Sequence, residues 1–292
     1  KLYSTYVKSM LAKLVDSRIH TTYNPCGTRT GRWSSSEPNL QNIPIRKPMG
    51  KQLRAAFIPT PGNVFIGADW DQLELRMMAW QSKDKRMVQT FCTPGGDIHR
   101  DTSIALFNTP DRRRDGKEVN FTVSYLGGPG VLAETAGVSK QVAAEWIKLY
   151  FEKYAGLREW QEREKVKCIM QGYVDTHIGR RRYIEGLKCK GLHLEEALKE
   201  AINTLSQGGG FEVVLDGMLR AYSEIKKRGM KTVPVLQVHD ELVLDVPVNE
   251  REEIIEILKQ TLPDDNFLIP MTVTLKVGEN WRDMKEFMKC AP

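Results

Sequence analysis

Two acids sit where strand-like runs end: Asp69 in NVFIGADWDQLELR (63–76) and Asp240 in VLQVHDELVLDV (235–246). Carboxylates placed this way, with no cysteine or histidine cage beside them, suit a hard divalent cation such as Mg²⁺. A pair of such ions drives phosphoryl or nucleotidyl transfer. Each acid also has a plainer reading. Asp69 precedes a helix and, taken alone, reads more readily as its cap. His239-Asp240-Glu241 reads as the polar turn of a hairpin, although Asn-Gly or Asp-Gly is what a tight turn prefers.

A third segment, DRRRDGKEVNFTVSYLGG (111–128), carries cations and then aromatics. On one helix Arg113, Lys117, Phe121 and Tyr125 recur every four residues and share a face. Such a stripe suits a triphosphate at one end and a stacked base at the other. A solvated basic helix with two aromatics tucked inward explains the segment as well.

The elements that must position these residues are legible in outline. Residues 63–69 read as a strand entering a helix from about Asp71 to Ser82, with Asp71 as cap and Glu74 as its partner in a capping box. Residues 233–247 alternate like a β-hairpin whose turn holds His239, Asp240 and Glu241. Between them, helical spacing covers 111–125, 139–155, 157–171 and 193–228, broken by Gly and Pro. Residues 172–186 read as two short strands about a Gly-containing turn. Residues 1–15 read as the end of a helix. Residues 24–50, rich in Pro and Gly, read as a long irregular functional loop. A helix near 249–260 and a strand near 270–277 close the chain. Strands at both ends around a helical insertion give an α+β fold.

At 292 residues, 41% hydrophobic and 27% charged, the chain can bury a sizeable core and form more than one subdomain. The net charge of +6 is compatible with a polyanionic partner without demanding one. The positive charge is clustered, in Arg112 to Arg114, in Arg180 to Arg182, and in Arg29, Arg32, Arg46, Lys47, Lys51 and Arg54. Five scattered cysteines with no CxxC argue against a disulfide framework and fit a reducing compartment. Cys189 and His193 lack the second pair a zinc site needs. No uncharged apolar run approaches about 18 residues, so no membrane-crossing helix and no membrane partner are expected. The first residues, KLYSTYVKSM, lack the apolar stretch of a signal peptide. They also begin without Met, so the sequence reads as a piece of a longer chain.

In this order, the segments resemble the polymerase domain of family A DNA polymerases, the bacterial DNA polymerase I type. TRTGRWSSSEPNLQNIPIR (28–46) is similar to that family's TGR…SSS.PNLQNIP.R segment, and DWDQLELR (69–76) to its DYSQIELR motif. RRDGKEVNFTVSY (113–125) resembles its RR..K..NFG..Y helix, and QVHDELV (237–243) its QVHDE motif. Weaker likenesses, GGDIHRDTS (95–103), GYVDTHIGRRRY (172–183) and AINTLSQGGG (201–210), fill the gaps. The likeness therefore covers nearly the whole chain.

The resemblance implies a right-hand architecture: an antiparallel-sheet palm and a helical fingers insertion, with the thumb largely missing. Residues 1–22 would end the thumb, 23–76 and 196–292 form the palm, and 77–195 the fingers. An upstream thumb and an exonuclease segment would lie before residue 1. Asp69 and Asp240, with the carbonyl of Trp70, would hold two Mg²⁺ ions, Mn²⁺ being able to substitute, and Glu241 would support them. His99, Arg113 and Lys117 would contact the triphosphate of a dNTP, Lys117 also protonating the departing pyrophosphate. Phe121 and Tyr125 would line the new base pair, and Glu74 would exclude a ribose 2′-hydroxyl. Arg32, Gln41, Asn42, Asn203, Gln207 and His239 would contact primer–template DNA through groove acceptors that every base pair presents. The compartment implied is the cytoplasm or nucleoid, of a host cell if the chain is viral, or else an organelle.

Several positions depart from the family pattern. Asp71 stands where Ser is usual, Thr122 where Gly is usual, Leu126 intrudes between Tyr125 and Gly127, and Gly209-Gly210-Phe211 replaces a Thr-Ala-Ala run. They bear on fidelity and nucleotide preference and suggest a divergent branch. Rival readings are a metal-dependent nuclease, a single-subunit RNA polymerase, and a catalytically dead scaffold. The Arg113–Tyr125 stripe counts against the first, Glu74 against the second, and retention of both aspartates against the third.

Overall fold

The computed structural model describes residues 6–44, 48–264 and 266–292. The first five residues of the expected leading helix, and the basic Arg46 and Lys47, lie outside them. In chain order the chain forms α1 (Lys8–Leu11), β1 (Leu14–Val15), β2 (Arg18–Ile19), β3 (Thr22–Asn24), β4 (Ser34–Ser36), α2 (Pro48–Ala55), β5 (Asn63–Trp70), α3 (Leu73–Ser82) and α4 (Lys85–Cys92). There follow α5 (Ile98–Phe107), α6 (Arg113–Ser124), α7 (Pro129–Ala136), α8 (Lys140–Lys153), α9 (Ala155–Gln171), β6 (Tyr173–Asp175), β7 (Arg181–Tyr183) and α10 (Leu192–Asn203). The last elements are α11 (Gly209–Lys227), β8 (Val233–Val238), β9 (Glu241–Pro247), α12 (Arg251–Thr261), β10 (Val273–Gly278) and β11 (Lys285–Cys290). The fold is mixed helix and antiparallel sheet. Two compact units divide it: 1–71 with 211–264 and 271–292, and 72–210 with 265–270.

The first unit is built on a five-stranded sheet in the order β11-β10-β5-β9-β8, antiparallel throughout. Period-two alternation gives it two faces. Ile66, Ala68 and Trp70 on β5 share one face with Leu242 and Leu244 on β9 and Val273 and Leu275 on β10, and all are buried. Helix α11 packs close enough to this face that a Cβ on Gly217 would stand 2.9 Å from the Trp70 ring. The other face carries Phe65, Val243, Leu236 and Val238, which join Met10, Leu40, Ile43 and Trp281 in a second apolar cluster. That face ends in polar residues at Asp69 and Glu241.

The second unit is helical, with the β6–β7 hairpin attached. Its core gathers Leu75, Met78, Met87, Phe91, Ile98, Val119, Val123, Leu132, Trp146, Tyr150, Tyr154 and Trp160. Side-chain caps fix several helix starts: Asp84 accepts from the N–H groups of Arg86 and Met87, Asp97 from His99 and Arg100, and Ser139 from Val142. Among the described residues no helix is long and apolar enough to cross a membrane.

Four expectations need correction. The capping box at Asp71 does not form: α3 starts at Leu73 behind Gln72, which is in the left-handed region and makes no side-chain cap. Asp71 is instead engaged by the hydroxyls of Thr272 (2.8 Å) and Thr274 (2.7 Å) and by Lys289 (3.0 Å). Cross-strand neighbours outcompete the helix end for its oxygens. Residues 24–50 are not irregular throughout, since they hold β4, paired with β3, and the start of α2. Within the described residues the expected leading helix stops at α1, short of residue 15, and gives way to the β1–β2 hairpin. Finally, β11 is an added edge strand whose lysines and exposure hid it from pattern reading.

Candidate functional site

In the sheet unit the site is set by register. Asp69 on β5 pairs directly with Glu241 on β9 and with Thr274 on β10. His239 and Asp240 form the two-residue turn between β8 and β9, and the Asp240 carbonyl accepts from the Trp70 N–H at 3.0 Å. His239 adopts φ +56°, the left-handed conformation that turns usually give to Gly or Asn. A non-glycine residue held there stores of order 1 kcal/mol or more, a feature that clusters at working sites.

The acids are bonded on one side only. Arg32 donates to Asp240 Oδ1 at 3.1 Å, and Lys276 donates to Asp69 Oδ2 at 2.6 Å. Among the described residues, Asp69 Oδ1 and Asp240 Oδ2 accept nothing. Burial pushes Asp240 up from the ordinary carboxylate range; Arg32 opposes this and the charge of Asp69 adds to it. Glu241 is likewise raised by burial, with Lys276 opposing and Asp69 adding. Burial disfavours the Lys276 ammonium, but Asp69 and Glu241 outweigh it and the group ends above its usual value. His239 is lowered by burial and by Arg32, against Asp240.

Gln41 and its surroundings fix the turn. The Gln41 amide donates to the Gln237 carbonyl (3.2 Å) and side chain (3.0 Å), and the Gln237 amide donates to the His239 carbonyl at 2.6 Å. Asn42 is exposed, and its carbonyl accepts from Tyr6.

The helical unit gathers a second group. Arg113 donates to Asp97 at 2.5 Å; Lys117 lies 5.7 Å from the Phe121 ring centre, which in turn lies 5.7 Å from the His99 ring. His99 is 4% exposed, and burial with the charges of Arg113 and Lys117 lowers it to about 4, against Asp97. Buried Asn120 donates to His99 Nδ1 at 3.2 Å and accepts from Tyr150 at 3.0 Å. Since an amide N–H donates, Nδ1 accepts and the ring proton sits on Nε2. Arg113 and Phe121 are exposed on α6, while Tyr125 is partly buried against the core at the helix's end, so the expected single stripe ends at Phe121. Glu74 is half-buried in the first turn of α3, Asn203 ends α10, and Gln207 lies in the π-helical turn Thr204–Gly208.

The structure thus brings together Asp69, Asp240, Glu241, Arg32, His239 and Gln41 in one unit, and His99, Arg113, Lys117 and Phe121 in the other. Pattern reading missed Lys276, Gln237 and Asn120. Lys276 left one trace, a charge alternating with Thr272 and Thr274 on a strand of otherwise apolar partners.

The residue pair fits a divalent cation. It offers only oxygen donors, one open oxygen on each acid, and a like-charge repulsion between half-buried carboxylates that a cation relieves. Among the described residues no three His, Cys, Asp or Glu side chains form a metal cage. A cation here would therefore need oxygens from a substrate, as Mg²⁺ commonly does.

Comparisons agree on one family. A model described as DNA polymerase family A matches residues 1–283. DNA polymerase I of Caldicellulosiruptor bescii is 36% identical over 98% of this chain, which covers 35% of that protein. Thermostable DNA polymerase I of Thermus filiformis is also 36% identical over 98% of the chain, 35% of its own length. The chain spans about a third of the length of such relatives. Among solved structures, the POL domain of Pol1 from M. smegmatis, in complex with DNA primer-template and dNTP, superposes with a TM-score of 0.89. It is 31% identical, over 94% of this chain and 50% of its own.

Proposed function

Because the chain belongs to DNA polymerase family A, we propose that it extends a DNA primer with dNTPs on a DNA template and releases pyrophosphate. The observation that carries the reading is the acid pair at the end of β5 and β9, each acid with one oxygen bonded to a cation of its own unit and one left open. Asp69, Asp240 and the Trp70 carbonyl would hold the metal ions, with Glu241 beside them. When bound, two Mg²⁺ ions supply the charge that acidifies the primer 3′-hydroxyl and offsets the charge on the leaving pyrophosphate.

The chain's own residues do the rest. Arg32 and the Trp70 N–H fix Asp240 from two sides, so its carboxylate is held before any ligand arrives. Arg113 and Lys117 bind triphosphate oxygens, Arg113 exchanging its bond to Asp97 for one to phosphate. His99 is neutral at physiological pH and donates from Nε2. Lys117 protonates the departing pyrophosphate, Phe121 and Tyr125 pack against the nascent base pair, and Glu74 excludes the 2′-hydroxyl. Arg32, Gln41, Asn42, Asn203, Gln207 and His239 contact the primer–template. By this reading the sheet unit is the palm and the helical unit the fingers, and an upstream thumb completes the grip on DNA.

Primer extension on a DNA template with Mg²⁺, comparing dNTPs with NTPs, tests the reading. Extension with dNTPs and not with NTPs is expected. Shortening of the primer would replace it with a nuclease, and equal use of NTPs with an RNA polymerase. Glu74→Ala should raise ribonucleotide incorporation, and an unchanged dNTP/NTP ratio would remove the gate from Glu74.

A further inference from the structure

Lys276 stands on β10 opposite Gly67 of β5, while its same-face neighbour Thr274 stands opposite Asp69. A long side chain at such a position reaches diagonally to the next pair along the face. On the same face, a Cβ at Gly67 would sit 3.1 Å from Met284 Cε and 3.5 Å from Glu241 Oε1. The ammonium ends 2.6 Å from Asp69 Oδ2 and 3.8 Å from Glu241 Oε1, with 19% of its side chain exposed. A fixed cation thus already occupies the acid that the proposed reaction needs for a divalent ion. A surface ion pair between mobile chains would be weak, but this lysine is confined between two acids on a rigid sheet.

We propose that Lys276 is a built-in competitor at the metal site. Its ammonium neutralises Asp69 while no divalent ion is bound, ties down Oδ2 of that carboxylate, and sets the ion affinity below what the acids alone would give. This rests on the reading of Asp69 and Asp240 as metal ligands. Its use would be to keep the like-charged acids together between turnovers and to let the ion leave with product.

The test is Mn²⁺ binding to the 292-residue chain without DNA or nucleotide, followed by the electron paramagnetic resonance signal of free Mn²⁺. Lys276→Met should tighten binding at least about tenfold, the scale on which one neighbouring charge shifts proton affinity at a carboxylate. Lys276→Gln should do the same should Met disturb the sheet, whereas Lys276→Arg, which keeps the charge, should stay near the parent. In an Asp69→Asn background Lys276→Met should no longer tighten binding. Asp240→Asn, which keeps Lys276, should weaken Mn²⁺ binding if the metal reading holds. Binding by the parent that Asp240→Asn weakens, but that neither Lys276→Met nor Lys276→Gln tightens, overturns the competitor and leaves the metal reading standing. No binding by the parent or by either variant overturns both.

Discussion

At the turn of the sheet unit, burial and the charge of Asp69 push Asp240 and Glu241 up; at the start of α5 in the helical unit, burial and the cations of α6 push His99 down to about 4. Each end sets like charge beside the shifted group, Asp69 beside Asp240 and Glu241 and the cations Arg113 and Lys117 beside His99, with opposite signs. The proposed function gives each a ligand of the other sign, a cation in one unit and an anion in the other. Burial by itself does not mark such an end. Asp245, on the same strand as Glu241 and only 2% exposed, shows the contrary case. It accepts from the Thr60 N–H (3.2 Å), the Thr60 hydroxyl and Asn63 Nδ2 (2.9 Å), with Arg18 at 3.6 Å. Its bonding capacity is used up by the fold, and nothing is left for a ligand.

The contrast breaks if the two aspartates respond alike to removal of charge. Asp240→Asn should cut primer extension by about 10³, the several kcal/mol that metal-borne charge supplies, with duplex affinity changed only several-fold. In metal-free buffer the same variant should unfold at a higher temperature at neutral pH. The folded chain holds the Asp240 proton to a higher pH than the unfolded chain does, so folding weakens as pH rises through that interval. Removing the charge returns that stability at neutral pH and little in acid. Asp245→Asn should leave extension per folded molecule intact and lower stability by about 1–3 kcal/mol, the penalty of a disrupted buried bond set. Thermal unfolding at pH 7 and single-turnover extension on both variants decide it; matching profiles would erase the distinction.

On the cationic side, Lys117→Met should slow nucleotide addition about 10²-fold, the lower range for a general acid. It should also raise the His99 pKa, because Lys117 is one of the charges that depress it. An NMR titration of His99 reads the second effect without any turnover. A slowed enzyme with an unmoved His99 would mean that Lys117 acts on substrate alone and that the cationic cluster is not coupled.

Packing sharpens the comparison further. A Cβ at Gly116 on α6 would lie 2.3 Å from the His99 carbonyl and 3.0 Å from the Ser103 nitrogen, both backbone atoms of α5. A Cβ at Gly67 meets chiefly the flexible tip of Met284. Gly116→Ala should therefore cost about 1–3 kcal/mol by forcing the helices apart, and Gly67→Ala much less. Equal losses in denaturant unfolding would show that α5 yields more readily than its backbone contacts imply.

How much of this was legible in the sequence depends on how local each signal was. The strand before Asp69, the hairpin about Asp240 and the helix bearing Arg113 and Lys117 each announce themselves by periodicity within a dozen residues. What escaped needed register. Asp71 looked like a cap because Glu74 follows at capping-box spacing; that Thr272 and Thr274 would claim it depends on pairing across some two hundred positions. Lys276 became part of the site only because β10 pairs with β5 so that Gly67 faces it. Leu126 illustrates a middle case. The departure from Gly was visible, and the structure shows its consequence: α6 ends in a Schellman motif, with Gly127 N–H to Thr122 carbonyl (2.7 Å) and Leu126 N–H to Val123 carbonyl (3.1 Å). Leu126 holds the left-handed position, φ +56°, where Gly is favoured.

The smallest expected effect concerns pH. The ordinary imidazole value of 6.5 falls to about 4 for His99 in the folded chain. As pH drops below 6.5 the unfolded chain takes up a proton that the folded chain refuses, so folding loses stability until about pH 4, where both are protonated. Between pH 7 and pH 5 the loss from this residue is of order 1 kcal/mol. His99→Asn keeps an acceptor for the Asn120 amide, in its Oδ1, and cannot titrate. Its thermal stability should fall less steeply than the parent's over that interval, and the two should differ least above pH 7. The acid end predicts the opposite slope, since protonating Asp240 relieves it, so Asp240→Asn should steepen the acid loss where His99→Asn flattens it. Parallel curves for parent, His99→Asn and Asp240→Asn would show that neither end carries the charge excess inferred from its geometry.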